Sequence, residues 1–93
     1  MQRTRIAAFC NYVRDGDTFR TLDGAWIRLA NVCAPEAGTY GWFTAKRLLE
    51  SLILNRWIAY DKVGTSYGRT VAEVWVDGVN VNSYMRRQGY ICS

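Results

Sequence analysis

Three Asp-Gly pairs, at positions 15–16, 23–24 and 77–78, constrain the fold of this chain more than any other feature. Asp-Gly is a strong signal for a tight β-turn, and each pair lies beside a stretch rich in β-branched or aromatic residues. The pattern predicts strands over about residues 6–14, 18–22 and 25–32, with the three joined as a meander.

The apolar residues between positions 41 and 54 instead recur at steps of three and four, which predicts an amphipathic helix of about four turns. Two further strands are predicted near 56–62 and 70–76, and the segment between them contains Gly64 and Gly68 and is predicted to be a loop.

A short second helix is predicted over about 81–88, where Asn80 would be the N-cap and Gly89 the first residue beyond the end. The chain is therefore expected to be mainly β with two helices, in the order β-β-β-α-β-β-α. That order is typical of the OB-fold, a five-stranded Greek-key barrel, and another small barrel such as an SH3-like one is the alternative. The 93 residues, of which 49% are hydrophobic, are enough for one domain over 1–93 that folds without disulfide bonds.

The charge of the chain favours an anionic partner. Its net charge is +4, and ten of its twelve basic residues are arginines, whose guanidinium groups match phosphate oxygens in bidentate geometry. Nucleic acid and an acidic membrane surface both fit this charge, and a solvated basic surface is the plain alternative, but the arginines favour a partner that carries phosphate. The chain contains no histidine, which excludes His-based catalysis, and its three cysteines have no C-x-x-C spacing that would indicate zinc. No signal peptide is visible, so an intracellular protein or an excised domain is the default expectation.

Several short motifs carry candidate chemistry, although each has an ordinary structural explanation when taken alone. Asp15 and Gly16 satisfy the turn signal by themselves, so Asp17 adds a further carboxylate where a strand begins. Arg28 alternates with apolar residues in the third strand, and Glu36 follows the only proline of the chain in a loop. The last motif is Tyr67-Gly68-Arg69, in which an aromatic ring and a guanidinium could bind a base and a phosphate.

These motifs, in this order and followed by Val-Asn before a short helix, resemble the staphylococcal nuclease (thermonuclease-like) family from about Val13 to Gly89. The resemblance implies an OB-fold and Ca²⁺-dependent hydrolysis of DNA or RNA phosphodiesters, so DNA or RNA is the expected partner and a membrane is not. It implies Arg28, Glu36 and Arg69 as the catalytic residues, and Asp17 together with the backbone carbonyl of Ala34 as metal ligands. Arg28, Arg69 and Tyr67 are the implied nucleic-acid contacts.

The resemblance breaks at Cys33, which stands where the family usually has a second metal-ligating aspartate. A thiol is a soft ligand and Ca²⁺ prefers six to eight oxygens, so weak Ca²⁺ binding, or use of another divalent ion, is expected. The loop after Glu36 is short, and the chain lacks the C-terminal helix of longer members, so the domain is expected to be minimal and homo-oligomer formation is a further hypothesis.

Two rival functions remain at this stage. One is a nucleic-acid-binding module that does not cut, because its metal site is degenerate. The other is a protein-interaction domain in which Trp26, Trp57 and Trp75 form an exposed aromatic surface, although four tryptophans in a small chain are expected mainly in core and barrel packing.

Overall fold

The first half of the barrel is an antiparallel meander of three strands, β1 (Ile6–Asp15), β2 (Thr18–Thr21) and β3 (Trp26–Leu29). The structure is a computed structural model that describes residues 5–93. The predicted meander is confirmed. Strand β3 ends three residues earlier than predicted, because the chain turns away at Asn31, which has a φ of 57°. Val32 then makes only an isolated bridge to Ile91.

The predicted element order is also confirmed, with one addition. The remaining elements are α1 (Trp42–Ile53), β4 (Trp57–Ser66), β5 (Arg69–Val76), β6 (Val79–Asn80) and α2 (Val81–Arg87). The two-residue strand β6 pairs with β5 across the Asp77-Gly78 turn, where both residues have positive φ.

Closure of the barrel depends on the non-sequential strand pairs. Strand β1 pairs with both β2 and β4, β4 pairs with β5, and β5 lies parallel to β3. The circuit β1-β2-β3-β5-β4-β1 is therefore a closed five-stranded barrel, as expected for an OB-fold.

The segment around Gly64 and Gly68 was predicted to be a loop, and this prediction is wrong. Strand β4 continues through a bulge at Gly64 to Ser66, which pairs with Arg69. The connection is a two-residue turn, Tyr67-Gly68, with φ values of 50° and 77°. Positive φ at both positions matches the twist of the flanking strands, so this tight hairpin places Tyr67 at its tip and Arg69 at the start of β5.

The core fills the barrel and the space beneath α1, which buries Ala45, Leu49 and Ile53 at its predicted apolar face. Helix α2 closes one end, and Asn82 on it is completely buried. The side-chain amide of Asn82 donates to the carbonyls of Ala30 and Ala72 and accepts from the amide of Val74. These bonds attach α2 to the residue just after β3 and to the middle of β5, and they supply the buried Asn82 side chain with hydrogen-bond partners.

The predicted ends of α2 are confirmed. The Asn80 side chain accepts a hydrogen bond from the Ser83 amide at 2.7 Å, as an N-cap does. Gly89 has a φ of 102°, which is the left-handed conformation expected just beyond a helix. In the described residues 5–93, no helix is both long and apolar enough to cross a membrane.

Candidate active site

A polar pocket of about 400 Å³ lies where the β1–β2 turn, strand β3, the loop before α1 and the start of β5 meet. Three arginines and three carboxylates line it, together with one cysteine and one alanine: Arg14, Arg28, Arg69, Asp15, Asp17, Glu36, Cys33 and Ala34. The structure therefore brings Arg28, Glu36, Arg69, Asp17, Ala34 and Cys33, all named from the sequence, into one pocket. Such mixed charge in a concave site is typical of a functional site.

Asp17 is held rigidly at the floor of this pocket. One carboxylate oxygen accepts from the Thr18 hydroxyl at 2.8 Å, and the other accepts from the Ala34 amide at 3.0 Å. The Arg28 guanidinium lies 3.7 Å from the same carboxylate. Asp17 thus joins the β1–β2 turn to the loop that follows β3.

Gly16 permits the close approach of three elements at this turn. A Cβ atom at this position would lie 2.7 Å from the Cβ atoms of both Ala34 and Ala45. Gly16 is not among the glycines with positive φ in the described backbone. Glycine is required here for space, because the turn, the Ala34 loop and α1 are in contact.

Arg28 and Arg69 reach the pocket from neighbouring strands. Arg28 donates to the Leu29 carbonyl, while Arg69 donates from Nε to the Ser66 carbonyl at 3.3 Å. Each of these bonds uses only part of a guanidinium group that has five N–H donors, so donors remain for an anion. Both residues belong to the parallel β3–β5 pair that closes the barrel.

Glu36 lies in the short loop before α1. Its backbone carbonyl accepts from both the amide and the hydroxyl of Thr39, which fixes the loop. Its side chain is exposed, and within the part of the chain that the structure describes, no hydrogen bond or ion pair engages its carboxylate. The carboxylate is therefore available to a water molecule or a ligand in the pocket.

Asp15, which sequence reasoning treated only as a turn residue, is part of the same site. It is buried, and its Oδ1 accepts from the Asp17 amide at 3.2 Å. Burial, followed by the hydrogen bond and the charge of Asp17, raises the pKa of Asp15 to about 6. Two carboxylates in such close contact repel each other when both are ionised.

Replacing Asp15 by Asn is expected to stabilise the domain near neutral pH. Between about pH 4 and about pH 6 the folded protein keeps a proton on Asp15 that the unfolded chain releases, so the stability of the wild type falls as pH rises. With the pKa raised from 3.8 to about 6, Asn should recover as much as about 3 kcal/mol at neutral pH and almost nothing near pH 4. The Asn side-chain oxygen can still accept from the Asp17 amide.

Denaturant unfolding in chelator at the two pH values measures this difference. Asp77→Asn is the matched control, since Asp77 is exposed and pairs with Arg56 at the surface. An equal gain at both pH values would show that the Asp15 carboxylate is not destabilised by its surroundings.

Cys33 is joined to Cys92 by a disulfide bond across 59 residues of sequence. Cys33, which stands at the position of a metal-ligating residue of the family, therefore cannot ligate a metal while the bond is intact, because metal ligation by cysteine needs a free thiolate. The cysteine pairing was not predictable from the spacing. The bond adds a covalent crosslink to a domain that was expected to fold without one.

Two carboxylates do not make a Ca²⁺ cage. No cluster of three or more His, Cys, Asp or Glu side chains able to hold a metal occurs within residues 5–93. Ca²⁺ takes six to eight oxygen ligands, whereas Asp15 and Asp17 supply only two carboxylates from one turn. One oxygen of Asp17 is also engaged already, because it accepts a hydrogen bond from the Ala34 amide. The donor set fits only a weakly held cation whose other ligands are water and substrate oxygens.

The four tryptophans are the clearest failure of the sequence analysis. They were expected mainly in core and barrel packing, but the buried hydrophobic core contains none of them. Trp57 is 67% exposed and packs edge-on against Phe9, and Trp26 is 36% exposed and packs edge-on against Tyr12. Trp75 lies under the Arg5 guanidinium. The three rings named as one surface thus have three different partners.

Arg14 was missed entirely, although the strand pattern could have revealed it. It alternates with the buried Val13 and Asp15 in β1, so its side chain lies on the opposite, exposed face. Arg14 lines the pocket with Arg28 and Arg69, and its backbone carbonyl accepts from the Trp42 indole at 3.0 Å. That bond attaches the start of α1 to the end of β1.

A closed OB-type barrel with arginines and carboxylates in one rim pocket belongs to a class of domains that often bind oligonucleotides. Residues 26–92 match the sequence model of the family described as Staphylococcal nuclease homologue. The chain belongs to this family, which supports a nuclease-like or nucleic-acid-binding domain. Arg28, Glu36 and Arg69 lie inside the matched region, and Asp15 and Asp17 lie before it. No curated protein matches the chain.

Proposed function

We propose that this domain is a nuclease that hydrolyses DNA or RNA phosphodiester bonds. The observation that carries the proposal is that Arg28, Arg69 and Glu36, whose carboxylate has no partner among residues 5–93, line one pocket. Hydrolysis of a phosphodiester needs an activated water and compensation of the charge that grows on the phosphoryl oxygens. These three side chains offer both functions.

In the proposed mechanism, Glu36 orients a water molecule and accepts its proton as the oxygen attacks phosphorus. Arg28 and Arg69 hold the phosphoryl oxygens, and Arg69 also favours departure of the 5′ oxygen. Tyr67 lies at the tip of the β4–β5 hairpin, where its exposed ring can contact the bound nucleotide.

Asp17 and the Ala34 carbonyl, with help from Asp15, are the residues proposed to hold a divalent cation. Such a cation would supply neutralisation of a non-bridging phosphate oxygen. Because the protein ligands are few, weak Ca²⁺ affinity is expected, and Mg²⁺ or Mn²⁺ could serve, since Mg²⁺ is commonly held by one or two carboxylates plus substrate phosphates.

A non-cutting nucleic-acid-binding module is the second candidate, and the Cys33–Cys92 disulfide favours it. Cys33 stands where the family usually has a second metal-ligating aspartate, and its sulfur is held in the disulfide bond. The arginines and Tyr67 would then grip the sugar-phosphate backbone without hydrolysis.

One assay separates the two candidates. End-labelled single-stranded DNA and RNA are incubated with the protein in Ca²⁺, Mg²⁺, Mn²⁺ or chelator, and the products are separated by size. The nuclease is expected to cut only with a divalent ion, and Arg69→Ala should abolish cutting because a phosphate ligand is lost. Arg47→Ala is the matched control, since Arg47 pairs with Glu50 on the exposed side of α1.

The possible results are distinct. Cleavage that survives Arg69→Ala would contradict the assigned site. Binding of oligonucleotides without cleavage under any cation would favour the second candidate.

A further inference from the structure

A strip of aromatic and basic side chains crosses the outside of the barrel next to the candidate active site. It consists of Tyr12 on β1, Arg20 on β2 and Trp26 on β3, which lie side by side in the sheet. The Tyr12 and Trp26 rings are 6.1 Å apart between centroids, and the Arg20 guanidinium lies 5.8 Å from the Trp26 ring. We call these three residues the Trp26 strip.

The packing of the strip holds Trp26 in place without burying it. Tyr12 contacts it nearly perpendicularly, and 36% of the Trp26 surface and 48% of the Tyr12 surface remain exposed. Neither ring belongs to the hydrophobic core. A large ring that is positioned by neighbours yet accessible to solvent is suited to stacking with a ligand.

Trp26 also faces a second pocket, of about 530 Å³, that adjoins the candidate active site. Arg14, Glu36 and Arg69 line both pockets. Trp26 and Tyr67 line the second pocket but not the candidate active site. A strand whose phosphate lies at Arg28 and Arg69 would therefore have a neighbouring nucleotide beside Trp26.

The charge of this region is complementary to a nucleic-acid backbone. Arg14, Arg20 and Arg69 surround the aromatic rings, and the chain as a whole carries a net charge of +4. Arginines that follow a backbone, interleaved with rings that accept bases, are the usual elements of a single-strand binding surface. In a duplex the base faces are covered by their neighbours, so an aromatic ring cannot stack on them unless a base is unstacked.

We propose that Trp26 is the stacking platform of a nucleotide subsite adjacent to the scissile phosphate, and that it makes the domain selective for unpaired nucleic acid. Arg14 binds the phosphate of the stacked nucleotide, and Tyr12 and Arg20 hold the Trp26 ring. The proposal rests on the proposed function in taking nucleic acid as the ligand, but it does not require cleavage.

Binding of a short labelled oligothymidylate, measured by fluorescence anisotropy in chelator, tests the subsite. Trp26→Ala is expected to weaken binding at least about fivefold, the low end of the range for removing a ring that stacks on a base. Trp26→Phe should retain most of the affinity because a phenyl ring also stacks. Trp57→Ala is the matched control, since Trp57 is an equally large exposed ring that packs on Phe9 outside both pockets.

A blunt duplex bound in the same buffer identifies what Trp26 contacts. Trp26→Ala should leave duplex affinity unchanged if the ring stacks on unpaired bases. An equal loss for duplex and single strand would show a backbone contact and overturn the proposal. Unchanged single-strand affinity in Trp26→Ala, an equal loss in Trp26→Phe, or failure of the wild type to bind the oligothymidylate would overturn it as well.

Failure of this proposal and failure of the proposed nuclease are distinguishable. Trp26-dependent binding by a protein that cuts nothing would support the subsite and reject the nuclease. Cleavage by a protein whose binding does not depend on Trp26 would support the nuclease and reject the subsite.

Discussion

Replacing Glu36 by Gln is expected to lower the rate of phosphodiester hydrolysis by about 10²- to 10⁴-fold, the usual contribution of a general base. The amide has nearly the same shape as the carboxylate but cannot take a proton from water at neutral pH. Because no described residue pairs with the Glu36 carboxylate, the substitution should change neither folding nor oligonucleotide affinity by much.

Initial rates on a labelled single-stranded oligonucleotide, taken at saturating substrate, measure the effect. Glu50→Gln is the matched control, because Glu50 makes ion pairs with Lys46 and Arg47 on α1, away from the pocket. Thermal unfolding of each variant confirms that the fold is intact. A Glu36→Gln protein that cuts at the wild-type rate would remove Glu36 from the proposed mechanism.

Loss of the Cys33–Cys92 disulfide is expected to have the largest effect on stability. The bond closes a loop across 59 residues, and the entropy of closing a loop of that length corresponds to about 4 kcal/mol in the free energy of unfolding. A domain of this size is stable by only about 5–15 kcal/mol, so Cys92→Ser should shift its unfolding midpoint strongly.

Denaturant unfolding with and without a thiol reductant provides an internal control. Cys33 lies at the surface, so a reductant can reach the bond. The reductant should destabilise the wild type by about as much as Cys92→Ser does, and it should have no further effect on the variant. Cys10 is buried and unpaired, and burial raises the pKa of its thiol to about 11, so it should not exchange into the bond. A wild type that is insensitive to reductant would contradict the expectation.

The element order was predictable because its signals are local. Asp-Gly turns, the three-and-four spacing of apolar residues in α1, and the Asn80 and Gly89 ends of α2 each depend on a few adjacent residues. The β4–β5 hairpin was missed because its turn contains a non-glycine residue, Tyr67, at positive φ, which sequence signals do not reveal.

The site was predictable only in part, because much of it depends on contacts between residues far apart in sequence. Arg28, Glu36 and Arg69 were found through their place in an ordered set of motifs, and the structure brings them to one pocket. The contacts that shape this pocket join residues far apart in sequence, such as the Ala34 amide with Asp17 and Cys33 with Cys92. Residue type and spacing do not encode which distant groups will meet, or that a tryptophan will remain outside the core.

The Cys33–Cys92 bond also makes a covalent ring of the second part of the chain. Residues 37–40, the exposed stretch directly after Glu36, lie inside this ring. A single backbone cut there would separate Glu36 from α1 along the main chain, yet both pieces would remain one molecule while the bond is oxidised. The nicked form would therefore migrate as two fragments only after reduction.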